Sequence, residues 1–200
     1  MRIYLVTDER LLLGKDLYRT VEAAVKGGVS MVQLREKESS TREFVERAIR
    51  LKEVLTPYGV PLIINDRVDV ALAANADGVH VGQSDMPYEM VKRLLPEGKI
   101  IGLSVESPEQ VLEANNYDLD YVAASPVFST TTKTNTIVEW GLDGLRWIRS
   151  VSRHPLVAIG GIHSNNVASI CKAGADSVAV ISAIVSADDP ERAARELLEK

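Results

Sequence analysis

Residues 61–85, PLIINDRVDVALAANADGVHVGQSD, contain the pattern that decides the fold. Two short apolar runs, Pro61–Ile64 and Gly78–Val81, are separated by a stretch with weak helical periodicity after Val68. Both runs are apolar throughout rather than alternating, which is typical of strands buried on both faces of a parallel sheet. The stretch therefore predicts a strand–helix–strand unit in which polar residues directly follow each strand.

The same alternation recurs along the whole chain at a spacing of about 25 residues. Helical start signals lie between the apolar runs: Ser40 and Ser107 each open a predicted capping box, and Asp189 precedes a proline that begins a last helix. Further helical patterns follow the strands elsewhere. The apolar runs, which predict eight strands, are Ile3–Val6, Met31–Leu34, Pro61–Ile64, Gly78–Val81, Ile100–Leu103, Tyr121–Ala123, Leu156–Ile159 and Ser177–Ile181.

Parallel strands with crossover helices form either an open doubly wound sheet or a closed barrel. An open flavodoxin-like sheet needs only five or six units, whereas eight units are the natural number of a barrel. The 200 residues, of which 46% are hydrophobic, suffice for one well-buried core. The sequence therefore predicts an α/β protein with a single (β/α)8 TIM-barrel catalytic domain over residues 1–200.

Composition limits the classes of partner. The net charge of −5 gives no general attraction for nucleic acid or anionic lipid, so any anion site must be local. A single cysteine, Cys171, excludes an internal disulfide framework, and no apolar run approaches the length of a membrane span. Without a recognisable signal peptide, we expect a cytoplasmic protein that is a monomer or homodimer and acts on small molecules.

Cationic side chains follow the second strand. Alternation along Gln33-Leu34-Arg35-Glu36-Lys37 places Gln33, Arg35 and Lys37 on one side, facing the mouth of the barrel. A guanidinium fork and a lysine point charge suit a diphosphate. An exposed charged turn without a ligand explains the same residues equally well in isolation.

Carboxylates follow the third and fourth strands. Asp66 and Asp85 would occupy neighbouring positions on the rim, and two hard oxygen ligands beside a phosphate suit Mg²⁺. The alternative is that each aspartate caps the following helix. The adjacent basic cluster favours the metal site.

The later loops add groups suited to phosphate. Ser104 ends the fifth strand, a hydroxyl-rich loop after the sixth carries Thr130, Thr132 and Lys133, and glycines follow the seventh. The loops after strands seven and eight of such barrels commonly bind phosphate through backbone N–H groups. We assign His80, at the end of the fourth strand, to the core. The remaining candidate positions are Gly161, Ile181 and Ser182.

These motifs in this order closely resemble those of the thiamine phosphate synthase family over nearly the whole chain. The resemblance rests on Gln-Leu-Arg-Glu-Lys, Asn-Asp, Gly-Val-His-Val-Gly-Gln-Ser-Asp, Thr-x-Thr-Lys and Ile-Ser-Ala-Ile. It implies a transferase of thiamine biosynthesis that joins hydroxymethylpyrimidine diphosphate to hydroxyethylthiazole phosphate and releases pyrophosphate. The implied mechanism is dissociative and Mg²⁺-assisted.

The resemblance also implies residue roles. The pyrimidine diphosphate would be held by Gln33, Arg35, Lys37, Asn65, Ser104 and Lys133, of which Arg35, Lys37, Ser104 and Lys133 would be catalytic. Asp66 and Asp85 would bind Mg²⁺. The thiazole phosphate would be held by Thr130, Thr132, Gly161, Ile181 and Ser182.

Two alternatives are weighed against this function. A thiazole tautomerase of the same superfamily uses a histidine after strand five, where this chain has Glu106. A non-catalytic phosphate-binding regulator would not need a metal pair and three cations to activate a leaving group. Two departures from the family pattern, Ser125 for glycine and Ser129 for proline, flank the start of the threonine loop.

Overall fold

Eight parallel strands close into a barrel in which each strand pairs with the next along the chain and β8 pairs with β1. The computed structural model describes residues 2–129 and 139–199. The predicted (β/α)8 barrel is therefore confirmed. The strands are β1 Arg2–Val6, β2 Val29–Leu34, β3 Leu62–Asn65, β4 Gly78–Val81, β5 Ile100–Val105, β6 Tyr121–Ala124, β7 Leu156–Ile159 and β8 Ser177–Val180.

Helices follow the strands and cover the outside of the barrel. Within the described ranges they are α1 Leu17–Lys26, α2 Thr41–Leu55, α3 Val68–Ala73, α4 Tyr88–Leu94, α5 Pro108–Ala114, α6 Gly141–Val151, α7 Val167–Lys172, α8 Ser182–Val185 and α9 Pro190–Leu198. In these helices we find none long and apolar enough to cross a membrane.

The helix start signals were mostly predicted correctly. At α2 the capping box is complete, since Ser40 Oγ accepts from the backbone N–H of Glu43 and the Glu43 side chain accepts from that of Ser40. Asp189 caps α9. The second predicted capping box forms only in part. Ser107 Oγ accepts from the backbone N–H of Gln110, but Gln110 Oε1 accepts from the backbone N–H of Glu106 at 2.7 Å instead of that of Ser107.

The core has two layers, because successive side chains of each strand point to opposite faces. Outward-facing aliphatic residues such as Ile64, Val79 and Leu103 pack against the helices. A smaller cluster inside the barrel includes Tyr4 and Tyr121. A Cβ atom on Gly102 would collide with the Tyr121 ring, so a glycine on β5 makes room for this ring in the interior.

Strand eight ends one residue earlier than the pattern predicts. Ile181 has φ −117° and ψ −84°, outside the extended region, and occupies the N-cap position of the short α8. The prediction that β8 includes Ile181 is therefore wrong, although Ile181 still lies at the carboxyl end of the barrel. All the other strand predictions agree with the structure to within two residues at each end.

Candidate active site

A cavity of about 900 Å³ opens at the carboxyl ends of the strands. It brings together predicted residues from six different strands or the loops after them, because all parallel strands end at the same face of the barrel. Thr130, Thr132 and Lys133 lie outside the described residues. The predicted residues that line the cavity are Gln33, Arg35, Lys37, Asn65, Asp66, Asp85, Ser104, Gly161, Ile181 and Ser182.

Asp66 and Asp85 lie side by side on the rim. Burial raises the pKa of the Asp85 carboxyl, and the adjacent Asp66 carboxyl raises it further, while the backbone N–H of Gly82 lowers it. The Asp85 side chain accepts a hydrogen bond from that N–H at 2.7 Å. The two acidic groups are thus held close together at a partly buried position, where a cation would relieve their repulsion.

Neither aspartate caps a helix, so the competing interpretation of this pair is wrong. Arg67 occupies the N-cap position of α3 and Pro87 that of α4, and neither helix has a side-chain cap. Asp66 instead has φ +63°, a left-handed conformation that aspartate tolerates better than most residues. Its backbone N–H donates to the carbonyl oxygen of His80 at 2.8 Å, which joins the β3 loop to strand β4.

The cations of the β2 loop lie beside this acidic pair. Lys37 Nζ is 2.6 Å from Asp66 Oδ2, and Arg35 Nη1 is 2.7 Å from Asp8 Oδ2. The Lys37 side chain is 53% exposed and that of Arg35 22%, so both are accessible from the cavity. Both cations thus line the cavity together with Asp66 and Asp85, and Asp8 pairs with Arg35 from the β1 loop.

Glu36, between the two cations, points away from solvent and fixes the loop. Its side chain is only 2% exposed and lies 2.6 Å from Arg47 Nη1. Ser39 donates to the same carboxylate at 2.6 Å. Burial raises the pKa of Glu36, whereas Ser39 and Arg47 lower it. Because Arg47 also pairs with Glu9 at 3.1 Å, it braces the β1 and β2 loops that carry Asp8 and Arg35.

The cavity floor is a chain of hydrogen bonds between buried side chains from five strands. Gln33 Nε2 donates to the Tyr4 hydroxyl at 2.7 Å, which lies 2.8 Å from the Tyr121 hydroxyl. His80 Nδ1 lies 3.0 Å from the Tyr121 hydroxyl, and its Nε2 lies 2.9 Å from Ser104 Oγ. Burial raises the pKa of both tyrosines, which keeps them protonated.

Sequence reasoning missed three members of this floor. His80 is buried and hydrogen-bonded, as expected of a core histidine, and it also lines the cavity. Tyr4 and Tyr121 were read only as strand residues. The alternation that placed Gln33 in the barrel interior could have found all three, since each lies on an inward-facing strand position.

Backbone groups dominate the opposite side of the cavity. Gly160 and Gly161 have φ +104° and +64°, and a Cβ atom on Gly161 would lie 2.8 Å from Phe128 Cβ. Asn166 Nδ2 donates to the Gly161 carbonyl oxygen at 2.8 Å and holds this turn in place. No lysine or arginine among the described residues lines this side, in contrast to the β2 loop. Ser182, the first residue of α8, also lines the cavity.

The β6 loop is anchored on both sides of residues 130–138. Before them, the backbone N–H of Phe128 donates to the Gly160 carbonyl oxygen at 3.2 Å. After them, Trp140 Nε1 donates to the Val105 carbonyl oxygen at 3.1 Å. Ser129, the last described residue before this gap, lines the cavity.

Comparisons with known proteins agree with one another. The family model described as thiamine monophosphate synthase matches residues 3–184. The chain is 53% identical to the thiamine-phosphate synthase of Albidiferax ferrireducens over 190 residues, which cover 95% of this chain and 87% of the relative. It is 50% identical to that of Vibrio campbellii over 197 residues, which cover 98% and 96%.

Solved structures give the same result. The thiamine phosphate pyrophosphorylase of Pyrococcus furiosus superposes with a TM-score of 0.90 at 41% identity, covering 99% of this chain and 94% of that one. A 3-hexulose-6-phosphate synthase superposes with a TM-score of 0.70 at 16% identity, covering 98% of each chain. At that low identity the second likeness concerns the barrel fold alone.

Proposed function

The chain belongs to the thiamine monophosphate synthase family, and from this premise we propose how its cavity joins a pyrimidine diphosphate to a thiazole phosphate. The family and the transferase class predicted from the motifs are confirmed by these relatives. The observation that carries the mechanism is the arrangement of two adjacent carboxylates and two cations around one cavity. This arrangement suits a leaving group with several negative charges.

Asp66 and Asp85 would hold Mg²⁺. The donor set fits this ion, since Mg²⁺ prefers oxygen ligands and combines one or two carboxylates with substrate phosphates and water. The described residues contain no group of three or more His, Cys, Asp or Glu side chains placed to bind a metal ion, so the proposal rests on this pair of carboxylates. When bound, Mg²⁺ would supply positive charge that stabilises the departing diphosphate.

Arg35 and Lys37 would bind the diphosphate directly. Arg35 pairs with Asp8 and Lys37 pairs with Asp66. Because of these ion pairs, both side chains are held at the cavity wall before substrate binds. Neutralising charge that develops on the leaving group favours the transition state more than the ground state. Lys133, outside the described residues, would add a third cation from the β6 loop.

The bond between the pyrimidine methylene carbon and the diphosphate oxygen would break first. Its electron pair leaves with pyrophosphate, and the ring-stabilised cation is then captured by the lone pair of the thiazole nitrogen. Carbon–oxygen cleavage and carbon–nitrogen formation balance without a side-chain nucleophile or a proton transfer. The protein therefore contributes charge stabilisation and holds the two rings in attack geometry.

The pyrimidine ring would lie on the buried floor between Gln33, Asn65 and Ser104. All three side chains are buried and polar, so they suit a ring with donor and acceptor atoms on its edge. The thiazole phosphate would lie across the cavity against Gly161, Ile181 and Ser182, where glycine allows close approach to the backbone. Thr130 and Thr132 would complete that site from the β6 loop.

The working state is proposed to be a cytoplasmic enzyme, monomeric or homodimeric. The single cysteine, Cys171, is half-buried, and burial raises the pKa of its thiol, which disfavours the reactive thiolate. A reducing compartment is therefore compatible with the chain.

The decisive assay mixes the purified protein with both substrates and Mg²⁺ and measures thiamine phosphate and pyrophosphate together. Equal amounts of the two products are expected. Isomerisation of the thiazole substrate without condensation would favour the tautomerase, and tight binding without turnover would favour the regulator. Either result would contradict the proposed reaction.

A further inference from the structure

The hydrogen-bond chain on the cavity floor has a direction that its own geometry defines. Tyr4 is buried, with 2% of the residue exposed. Among the described residues, its hydroxyl has Gln33 Nε2 and the Tyr121 hydroxyl as hydrogen-bond partners. An amide nitrogen can only donate. The Tyr4 proton must therefore go to the Tyr121 oxygen, since leaving a buried donor without an acceptor is costly.

The next links follow from the same rule. Tyr121 has accepted from Tyr4, so its own proton is available to His80 Nδ1, 3.0 Å away. A His80 ring that accepts at Nδ1 carries its proton on Nε2. That proton points at Ser104 Oγ, at 2.9 Å. Ser104 then accepts from the histidine, and its own proton is available to the cavity that it lines.

We propose that Tyr4, Tyr121 and His80 are positioning residues that fix Ser104 as a hydrogen-bond donor toward an acceptor atom of the bound pyrimidine. The inference deepens the proposed function and depends on the pyrimidine lying on this floor. Tyr4 and Tyr121 act through His80, and His80 acts through Ser104. The hydrogen bonds also couple Gln33 to Ser104, because the orientation of the Gln33 amide decides whether Ser104 can donate a hydrogen bond to the ligand.

The opposite direction has a distinct signature. If the Gln33 amide oxygen faced Tyr4, Tyr4 would donate to it, Tyr121 to Tyr4 and His80 Nδ1 to Tyr121. Ser104 would then donate to His80 Nε2 and could only accept from a ligand. The two directions therefore differ in the ring nitrogen of His80 that carries the proton, which two-bond ¹⁵N–¹H NMR correlations of labelled histidine detect.

The experiment uses the whole protein without substrates, labelled in its three histidines. The signals that disappear in His80→Gln identify His80. We expect the proton on Nε2 in the natural chain, and a substantial population with the proton on Nδ1 in Tyr4→Phe, which removes the hydroxyl that orients Tyr121. Tyr121→Phe cuts the next link and should have the same effect. Tyr18→Phe is the matched control, since Tyr18 lies under Arg50 on the outside of the barrel and should change nothing.

Kinetics supply the second readout. Loss of one correctly oriented hydrogen bond should raise KM for the pyrimidine diphosphate about fivefold to tenfold in Tyr4→Phe and leave KM for the thiazole phosphate unchanged. A proton on Nδ1 or on both nitrogens in the natural chain overturns the proposal, as does an unchanged tautomer in both variants. Because the NMR arm needs no turnover, failure of the proposed reaction and failure of this hydrogen-bond chain are distinguishable.

Discussion

Aspartates at the two ends of the barrel have opposite environments. At the amino ends of the strands, Asp77, Asp120 and Asp176 each come directly before a strand and accept a hydrogen bond from the first or second backbone N–H of a neighbouring strand. The donors are Leu62, Ile101 and Leu156, at 2.7, 2.8 and 2.8 Å. At the carboxyl ends, Asp66 and Asp85 instead lie side by side on the cavity rim.

The amino-end arrangement is reciprocal. The backbone N–H of Asp77 donates to the Leu62 carbonyl oxygen at 2.8 Å, while the Asp77 side chain accepts from the Leu62 N–H. Asp120 and Asp176 repeat the same pair of bonds with their neighbours. These carboxylates satisfy backbone groups at the strand ends, so their role is to stabilise the fold.

The carboxyl-end pair is arranged differently. Asp85 has a backbone donor and Asp66 has Lys37, but the adjacent Asp66 carboxyl also raises the pKa of Asp85. A protein that needed only stability would not place like charges together. The comparison therefore separates aspartates that stabilise strand ends from the pair that we propose binds a metal ion.

The largest expected effect is on turnover at the carboxyl end. Asp66→Asn keeps a residue that tolerates φ +63° but removes the charge, and it should lower kcat about a hundredfold, equivalent to about 3 kcal/mol. The Tm should stay within about 2 °C of the natural chain. Steady-state pyrophosphate release and calorimetry check both values. A near-normal kcat would show that Asp66 is not a metal ligand.

The second-largest effect is expected on the stabilisation of the protein by bound ligand, which should depend on the carboxyl-end aspartates and not on the amino-end ones. Mg²⁺ with inorganic pyrophosphate, at about 100 times its Kd, should stabilise the natural chain by about 2.7 kcal/mol in a thermal-shift measurement. Asp85→Asn should lose most of this increment, whereas Asp77→Ala should keep it. An equal increment in both variants would show that the carboxyl-end pair does not bind the metal.

Stability should depend mainly on the amino end. Asp77→Ala leaves the Leu62 N–H without its side-chain acceptor and should lower the free energy of unfolding by about 1–3 kcal/mol. The fall in Tm would be about 2–4 °C per kcal/mol for a chain of this size. Asp188→Ala, at an exposed position, is the matched control. A normal kcat at 25 °C is expected for Asp77→Ala. A loss of activity in the folded variant would contradict the assignment of Asp77 to stability alone.

The smallest effect is expected at Lys52, whose Nζ lies 2.5 Å from Asp77 Oδ2. Both side chains are about 30% exposed, so Lys52→Met should cost less than about 1 kcal/mol of unfolding free energy. Chemical denaturation measures it. A loss as large as that of Asp77→Ala would mean that the ion pair, rather than the bond to the backbone, stabilises the strand end.

The barrel could be predicted because its signals are local. Eight apolar runs with capping residues between them define the strands and helices, and parallel strands with short connections permit few topologies. The same logic placed Gln33, Arg35 and Lys37 together in the cavity. It also brought Asp66 near Asp85, since consecutive strands of such a barrel are neighbours.

The floor of the site could not be predicted so easily, because it depends on pairings across the barrel. Nothing in the local sequence of Tyr4 and Tyr121, 117 positions apart, shows that their hydroxyls meet at 2.8 Å. His80 was assigned to the core because a hydrogen-bonded core histidine is the commoner case, and it is indeed buried. A residue buried inside a barrel can also line the cavity, as His80 does. The amino-end aspartates had an unused signal, since Asp77, Asp120 and Asp176 each stand two residues before a valine at a strand start.

The most direct test of the carboxyl-end site is a crystal grown with Mn²⁺, as a substitute for Mg²⁺, and inorganic pyrophosphate. Anomalous scattering locates the metal independently of the protein coordinates. We predict a single strong peak coordinated by Asp66 and Asp85, with pyrophosphate bridging the metal and the side chains of Arg35 and Lys37. A metal bound away from both carboxylates, in crystals of active protein, would contradict the account.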